Sequence, residues 1–355
     1  MIGGRNGRGN GRASRPVNVA VVGLGYWGPN LVRNLHELDV TEITTVCDSR
    51  QEPLERICRR YPAVKPRTSY ARVLADGAVE AVAIATPVGT HFPLAKAALE
   101  AGKHVFVEKP LAASSEEASE LLELAERNGL LLMPGHTFLY SPPVNVVRSL
   151  IASGEVGDIH FISTSRVNLG LHQSDVSVVW DLGPHDFSIL RYWLGETPAV
   201  VSALSRCCIM PDVPDVAFID LEFASGTVAH VELAWLAPSK LRRTTIVGSR
   251  KMVVYDDTST EPVRVFDSGA IGNPGSFGEY HLSYRTGDIV SPQVDAAEPL
   301  ALELRDFAAA VRGDHRPRSS ADLGLEVVRM IEAVDRSLDQ KGARVSVETG
   351  MPTPV

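Results

Sequence analysis

The chain has 355 residues, 44% hydrophobic and 22% charged, and its 43 acidic against 35 basic side chains give a formal net charge of −8. That length suits about two domains with a large core and excludes global disorder. The acidic balance excludes a chain devoted to coating nucleic acid or anionic membrane, and no apolar run reaches the roughly 18 residues of a spanning helix.

Residues 1–15 place Arg5, Arg8, Arg12 and Arg15 among glycines with no apolar stretch, so they read as a disordered arm and not as a secretory signal. From 16 to about 140, short β-rich runs alternate with helical patterns. Strands are expected over 17–22, 43–47, 79–85, 104–107 and 130–133, nearly continuous in apolar residues as strands buried on both faces should be. Helices are expected over 29–38, from a capping-box spacing at Ser49 and Glu52 through Cys58, over 90–101, and from a second box at Ser114 and Glu117 to Gly129. Strand–helix–strand repetition predicts right-handed crossovers and a parallel sheet.

Beyond 140 the rhythm changes. Pro142 and Pro143 break the pattern, and a short helix is expected over 145–152. Runs at 159–167, 200–207, 217–223, 227–235, 243–247, 252–255 and 263–266 follow, with few helices between them, and the chain closes with helices over 299–311 and 321–338. The expectation is an α/β protein. A Rossmann domain over 16–140 precedes an α+β domain over 141–350, built on an open, mostly antiparallel sheet. Cys47, Cys58, Cys207 and Cys208 have neither disulfide-framework nor zinc spacing, which points to reduced thiols and a cytoplasmic protein.

Gly23-Leu24-Gly25-Tyr26-Trp27-Gly28 matches G-x-G-x-x-G between a strand and a helix, and Asp48 lies 20 residues beyond Gly28 at the next strand end. Gly23 permits the turn, Gly25 lets a pyrophosphate approach the backbone, and Gly28 lets helix and strand pack closely. The helix N-terminus then offers unpaired N–H groups to the phosphates. A carboxylate at Asp48 suits the ribose hydroxyls and repels a 2′-phosphate, so NAD(H) is favoured. Arg50, beside Ser49, keeps NADP(H) open. Tyr26 and Trp27 either wall the cofactor or pack on the sheet edge.

Thr86-Pro87 and Glu108-Lys109-Pro110 fall at carboxyl ends of parallel strands, where ligand-facing residues belong, and His91 follows in the loop into the next helix. Further on, Trp180-Asp181-Leu182-Gly183-Pro184-His185-Asp186 places a carboxylate and an imidazole four apart, with Pro184 suited to a helix first turn and Asp181 to the preceding loop. Such a pair fits a cap plus a core histidine, or a proton relay. As a metal pair it lacks a third ligand of obvious spacing, so no metal is expected.

Together these motifs resemble, over 17 to about 345, the Gfo/Idh/MocA oxidoreductases (the glucose-fructose oxidoreductase and inositol dehydrogenase group). The wording Gly25-Tyr26-Trp27-Gly28-Pro29-Asn30 is most similar to members acting on nucleotide-linked sugars. The resemblance implies a sheet in the second domain that covers the active site and often builds an oligomer interface, here a homodimer or homotetramer. It also implies that Lys109, Asp181 and His185 line the reacting carbon, with the main proton carrier open between Lys109 and His185. Alcohol oxidation needs such a base, and a lysine beside the cationic nicotinamide would be pushed toward a useful value, while an unperturbed histidine already titrates near neutrality.

Gly23, Gly25, Tyr26, Trp27, Gly28, Asp48, Ser49, Arg50, Thr86, Pro87, His91, Glu108 and Lys109 are therefore the candidate cofactor contacts. His136, Tyr140, Arg166 and Asn168 join Lys109, Asp181 and His185 as candidate substrate contacts. The expected activity is hydride transfer at a secondary carbon of a sugar, a nucleotide-linked one by the loop wording. The alternatives are a free sugar or cyclitol, a glycoside hydrolase using bound NAD transiently, or a non-catalytic NAD and sugar sensor.

Overall fold

The structure, a computed structural model, describes residues 15–170, 176–273 and 281–348. Six strands, β1 (Val17–Val22), β2 (Thr41–Cys47), β3 (Lys65–Arg67), β4 (Ala81–Ile84), β5 (His104–Glu108) and β6 (Leu132–Gly135), form one parallel sheet in the order β3-β2-β1-β4-β5-β6. Between them run α1 (Gly28–Glu37), α2 (Gln51–Arg60), α3 (Tyr70–Leu74), α4 (His91–Glu100) and α5 (Ser115–Asn128). All four residues of β4 are buried because helices cover both faces of the sheet. The strand order reverses beside β1, which opens a crevice at the carboxyl ends of the strands.

Several local expectations are corrected. The short edge strand β3, Lys-Pro-Arg, carries no apolar signal to announce it. α2 opens at Arg50 with no side-chain cap, so Ser49 does not form the expected box, whereas Ser114 does accept from the Glu117 amide. Pro142 does not break a helix but starts α6 (Pro142–Ala152), where a missing N–H costs nothing.

The second sheet has nine strands: β7 (Ile159–Val167), β8 (Val200–Arg206), β9 (Val216–Glu222), β10 (Val228–Ala234), β11 (Leu241–Gly248), β12 (Met252–Asp256), β13 (Val263–Asn273), β14 (His281–Val290) and β15 (Val345–Ser346). Their order is β14-β13-β12-β11-β7-β10-β9-β8-β15, antiparallel except for the β7–β10 pair. On its inner face pack α7 (Val178–Leu194) and α9 (Ala321–Asp339), around Phe187, Trp193, Trp235, Val327 and Ile331. α8 (Pro299–Val311) returns to the first sheet instead, where Leu300, Leu304 and Phe307 join its core. No helix among the described residues is long and apolar enough to cross a membrane.

α7 is the element that matters for the site. It begins at Val178, capped by the Ser177 side chain, with Asp181 in its first turn and Pro184 in its interior. Asp181 and His185 therefore stand one turn apart on one face of one helix, and the expectation of Asp181 in a preceding loop is overturned. Pro184 denies the Trp180 carbonyl its usual partner and loosens this turn.

Candidate active site

The glycine loop is shaped for a dinucleotide. Gly23 has φ of +89°, and a Cβ there would sit 2.5 Å from the Ala85 carbonyl oxygen. A Cβ on Gly28 would run into the carbonyl of Gly23, while one on Gly25 would meet nothing within 4 Å. Two glycines thus allow the close packing and the third leaves open space above the backbone, so the residues present fit a bound pyrophosphate. Tyr26 and Trp27 diverge: Tyr26 is 87% exposed, whereas Trp27 packs on the core of the first sheet.

Asp48 is buried, and its carboxylate accepts from the Leu24 amide at 2.8 Å and the Arg50 amide at 2.9 Å. The Arg50 guanidinium adds bonds of 3.1 and 3.2 Å. Burial works to raise its pKa, yet the Arg50 side chain and these amides hold the carboxyl below its ordinary range. Asp48 thus braces the glycine loop, and the exposed Arg50 lies over the carboxylate expected to meet the ribose. Thr86, Pro87 and Thr90 close a hydroxyl-bonded turn, and buried His91 reaches the Thr86 and Pro110 carbonyl oxygens at 2.8 Å each. His91 therefore ties the loop after β4 to the loop after β5 from beneath.

Lys109, at the end of β5, meets Asp181 of α7. Its Nζ donates to the Asp181 carbonyl at 2.5 Å and to Oδ1 at 3.2 Å. The other carboxylate oxygen accepts from the Trp235 indole N–H at 3.0 Å. His185 lies edge-on to Phe138 at 5.0 Å, with Nδ1 buried and unpartnered. Burial first, then the charges of Lys109, Arg166 and Arg242, holds its imidazole well below the ordinary value, which corrects the expectation that it titrates near neutrality. His136 is buried beside Lys109, both ring nitrogens without a protein partner, and is pushed down to about 3 by burial and by Lys109.

Tyr140 and Arg166 are both bonded to partners within the protein. The Tyr140 hydroxyl donates to Asp306 at 2.5 Å and accepts from the Ser319 amide at 3.1 Å, which ties it to the closing helices. Arg166 is 4% exposed and binds Asp186 through two bonds of 2.6 and 3.1 Å, with its guanidinium 4.6 Å above the Phe138 ring. Its charge is neutralised by Asp186 inside the protein, while its Nη1 is buried without a hydrogen-bond partner. Asn168 stands half-buried just beyond β7, its backbone N–H donating to the Ala234 carbonyl. Trp235, Phe138, Asp186 and Arg242 were invisible to sequence reasoning, since partners 20 to 80 residues apart leave no spacing signal.

Glu108 and Glu303 lie behind Lys109. Burial pushes the Glu108 carboxyl up to about 7, and burial plus the Glu108 charge raises fully buried Glu303 well above its ordinary 4.5. A native carboxyl that keeps its proton where the unfolded chain has lost it costs stability as pH rises from 4.5 through the native value. Glu303→Gln keeps the Thr137 contact without that cost. Its melting temperature should exceed that of the parent at pH 7 to 8, with the gap closing toward pH 4, and parallel pH profiles would contradict this.

Comparison with known proteins identifies relatives over most of the chain. Residues 17–136 match the model of an oxidoreductase family with an NAD-binding Rossmann fold, and residues 144–254 match the GFO/IDH/MocA C-terminal domain. The UDP-N-acetylglucosamine 3-dehydrogenase of Acidithiobacillus ferrooxidans is 26% identical, over 85% of this chain and 90% of its own. The NAD(+)-dependent scyllo-inositol 2-dehydrogenase of Bacillus subtilis is also 26% identical, over 85% and 88%. The WlbA dehydrogenase of Bordetella pertussis, solved with NADH and UDP-GlcNAcA, shares the fold at a TM-score of 0.80 and 19% identity, over 95% of this chain and 99% of its own. With an NAD-binding Rossmann domain and the C-terminal domain that follows it both matched, the chain belongs to the GFO/IDH/MocA oxidoreductase family.

Proposed function

We propose that this protein transfers a hydride between NAD(H) and a secondary carbon of a sugar. The contact of Lys109 with Asp181, at the mouth of the crevice where the dinucleotide loop opens, carries this reading. NAD bound on that loop supplies the hydride acceptor or donor. In the reducing direction the Lys109 ammonium gives its proton to the carbonyl oxygen as hydride reaches the carbon, and in the oxidising direction its neutral amine takes the hydroxyl proton as hydride leaves. Asp181 orients the lysine, and His185, neutral at physiological pH, offers a hydrogen bond. Buried polar groups such as His136 and His185 reject analogues that lack a matching hydroxyl.

A nucleotide-linked sugar is the first choice, supported by the loop wording and by the Acidithiobacillus relative. A free cyclitol is the second, favoured by the neutralised Arg166 and by the Bacillus relative. Nucleotide sugars, free sugars and inositols assayed with NAD(H) and NADP(H) discriminate these readings. Turnover confined to aliphatic alcohols, or sugar hydrolysis without net cofactor reduction, would overturn the dehydrogenase. The outer face of the second sheet exposes Phe161, Leu204, Phe218 and Val228, and we infer that a second copy covers it. A monomer in sedimentation velocity would overturn that.

A further inference from the structure

Trp235 is 1% exposed and follows β10. Its backbone is held at both ends, the amide donating to the Asp215 carbonyl and its own carbonyl accepting from Gly170, each at 2.9 Å. A Cβ on Gly170 would lie 3.1 Å from the indole, so residue 170 sits directly against the ring. The indole is therefore fixed in place, and its N–H points at Asp181 Oδ2 at 3.0 Å.

We propose that Trp235 is a positioning residue for the reaction, locking the Asp181 carboxylate so that the Lys109 ammonium is held at the reacting carbon. The proton-handling role of Lys109 rests on the proposed function, whereas the coupling of Trp235 to Lys109 through Asp181 rests on the hydrogen bonds alone. A carboxylate bonded through one oxygen can turn about its own axis. Oδ1 to Lys109 and Oδ2 to Trp235 together fix its plane, and the bond to an ionised acceptor is the stronger kind. Lys109 commits bonds to the carbonyl and to Oδ1 of Asp181, and an ammonium has three N–H groups, so a donor remains for the substrate. The three residues come from the end of β5, from α7 and from the end of β10. Trp235 thereby joins the second sheet to a lysine carried by the first.

Trp235→Phe keeps the ring in the core and removes the N–H. We expect it to lower kcat about ten- to 150-fold, the weight of one hydrogen bond to a charged group, with KM for the sugar moving less than threefold. In an Asp181→Ala background the same change should cost nothing further, because a residue that acts through Asp181 has lost its lever. Independently of turnover, Lys109 in Trp235→Phe should react several-fold faster with an acylating reagent at pH 8, read by peptide mass spectrometry. That difference should vanish in the Asp181→Ala background. Should the phenylalanine variant fail to fold, a benzothiophene side chain at 235 replaces the N–H by sulfur at nearly constant shape, and the same results are expected of it. Unchanged kcat and Lys109 labelling, or equal losses in both backgrounds, would overturn the proposal. A parent protein inactive on every sugar, with the labelling shift still seen on going to Trp235→Phe, would instead overturn the proposed function and leave the positioning role intact.

Discussion

Lys109→Met is expected to leave NAD affinity within a few-fold and to lower kcat by about 10²–10⁴, the usual weight of a positioned acid–base group. Methionine preserves the length of the side chain, so the crevice keeps its shape. The Asp181 carbonyl and Oδ1 lose their donor, and no ammonium remains to handle the proton of the sugar hydroxyl. His185 does not rescue the step as an acid, because burial and the charges of Arg166 and Arg242, all kept in the variant, hold its imidazole neutral. Fluorescence titration with NAD(H) and steady-state kinetics on the same preparation separate the two effects. Near-normal kcat would remove Lys109 from the chemistry, and a lost NAD affinity would place it in the cofactor site alone.

Asp186→Ala is expected to destabilise the fold by about 3–5 kcal/mol, the cost of leaving one member of a buried ion pair without its partner. Arg166 and Asp186 are 4% and 3% exposed, and Asp186 takes both bonds from the guanidinium and a third from the Thr164 hydroxyl. Replacing the pair together, Arg166→Met with Asp186→Leu, should recover most of that loss, because a buried pair is often no better than well-packed apolar side chains. Urea unfolding of the two variants decides the matter. A single variant within about 1 kcal/mol of the parent would show that water reaches Arg166 and screens it. The pair also lies under Phe138, against which His185 packs, so its loss should disturb the site as well as the core.

Short-range chemistry made much of this protein legible. A glycine spacing between an apolar run and a helical pattern identifies the dinucleotide loop, because turn, pyrophosphate approach and helix packing each act within six residues. Continuous apolar runs announce a parallel sheet buried on both faces, and strand ends mark where Thr86, Lys109 and their neighbours must stand. Short spacings mislead where a competing local signal exists. Pro184 reads as a helix start, yet Ser177 caps the helix about two turns earlier, which moves Asp181 onto α7. Strands with no hydrophobic alternation, such as β3, exist only because a neighbour offers them a ladder.

The long-range partners were decided by the tertiary structure alone. Arg166 reads as a substrate contact, yet Asp186, 20 residues away, takes two of its guanidinium N–H groups. Tyr140 looks like a substrate contact until Asp306 takes its hydroxyl. Trp235 meets Asp181 only because β10 and α7 converge on the end of β5. The ionisation of His185, His136, Glu108 and Glu303 follows from desolvation, which depends on everything packed around a group and on nothing beside it in the chain. Residue type and local spacing determine which groups can do chemistry, and burial and convergence of distant elements determine which of them are charged, paired or free to act.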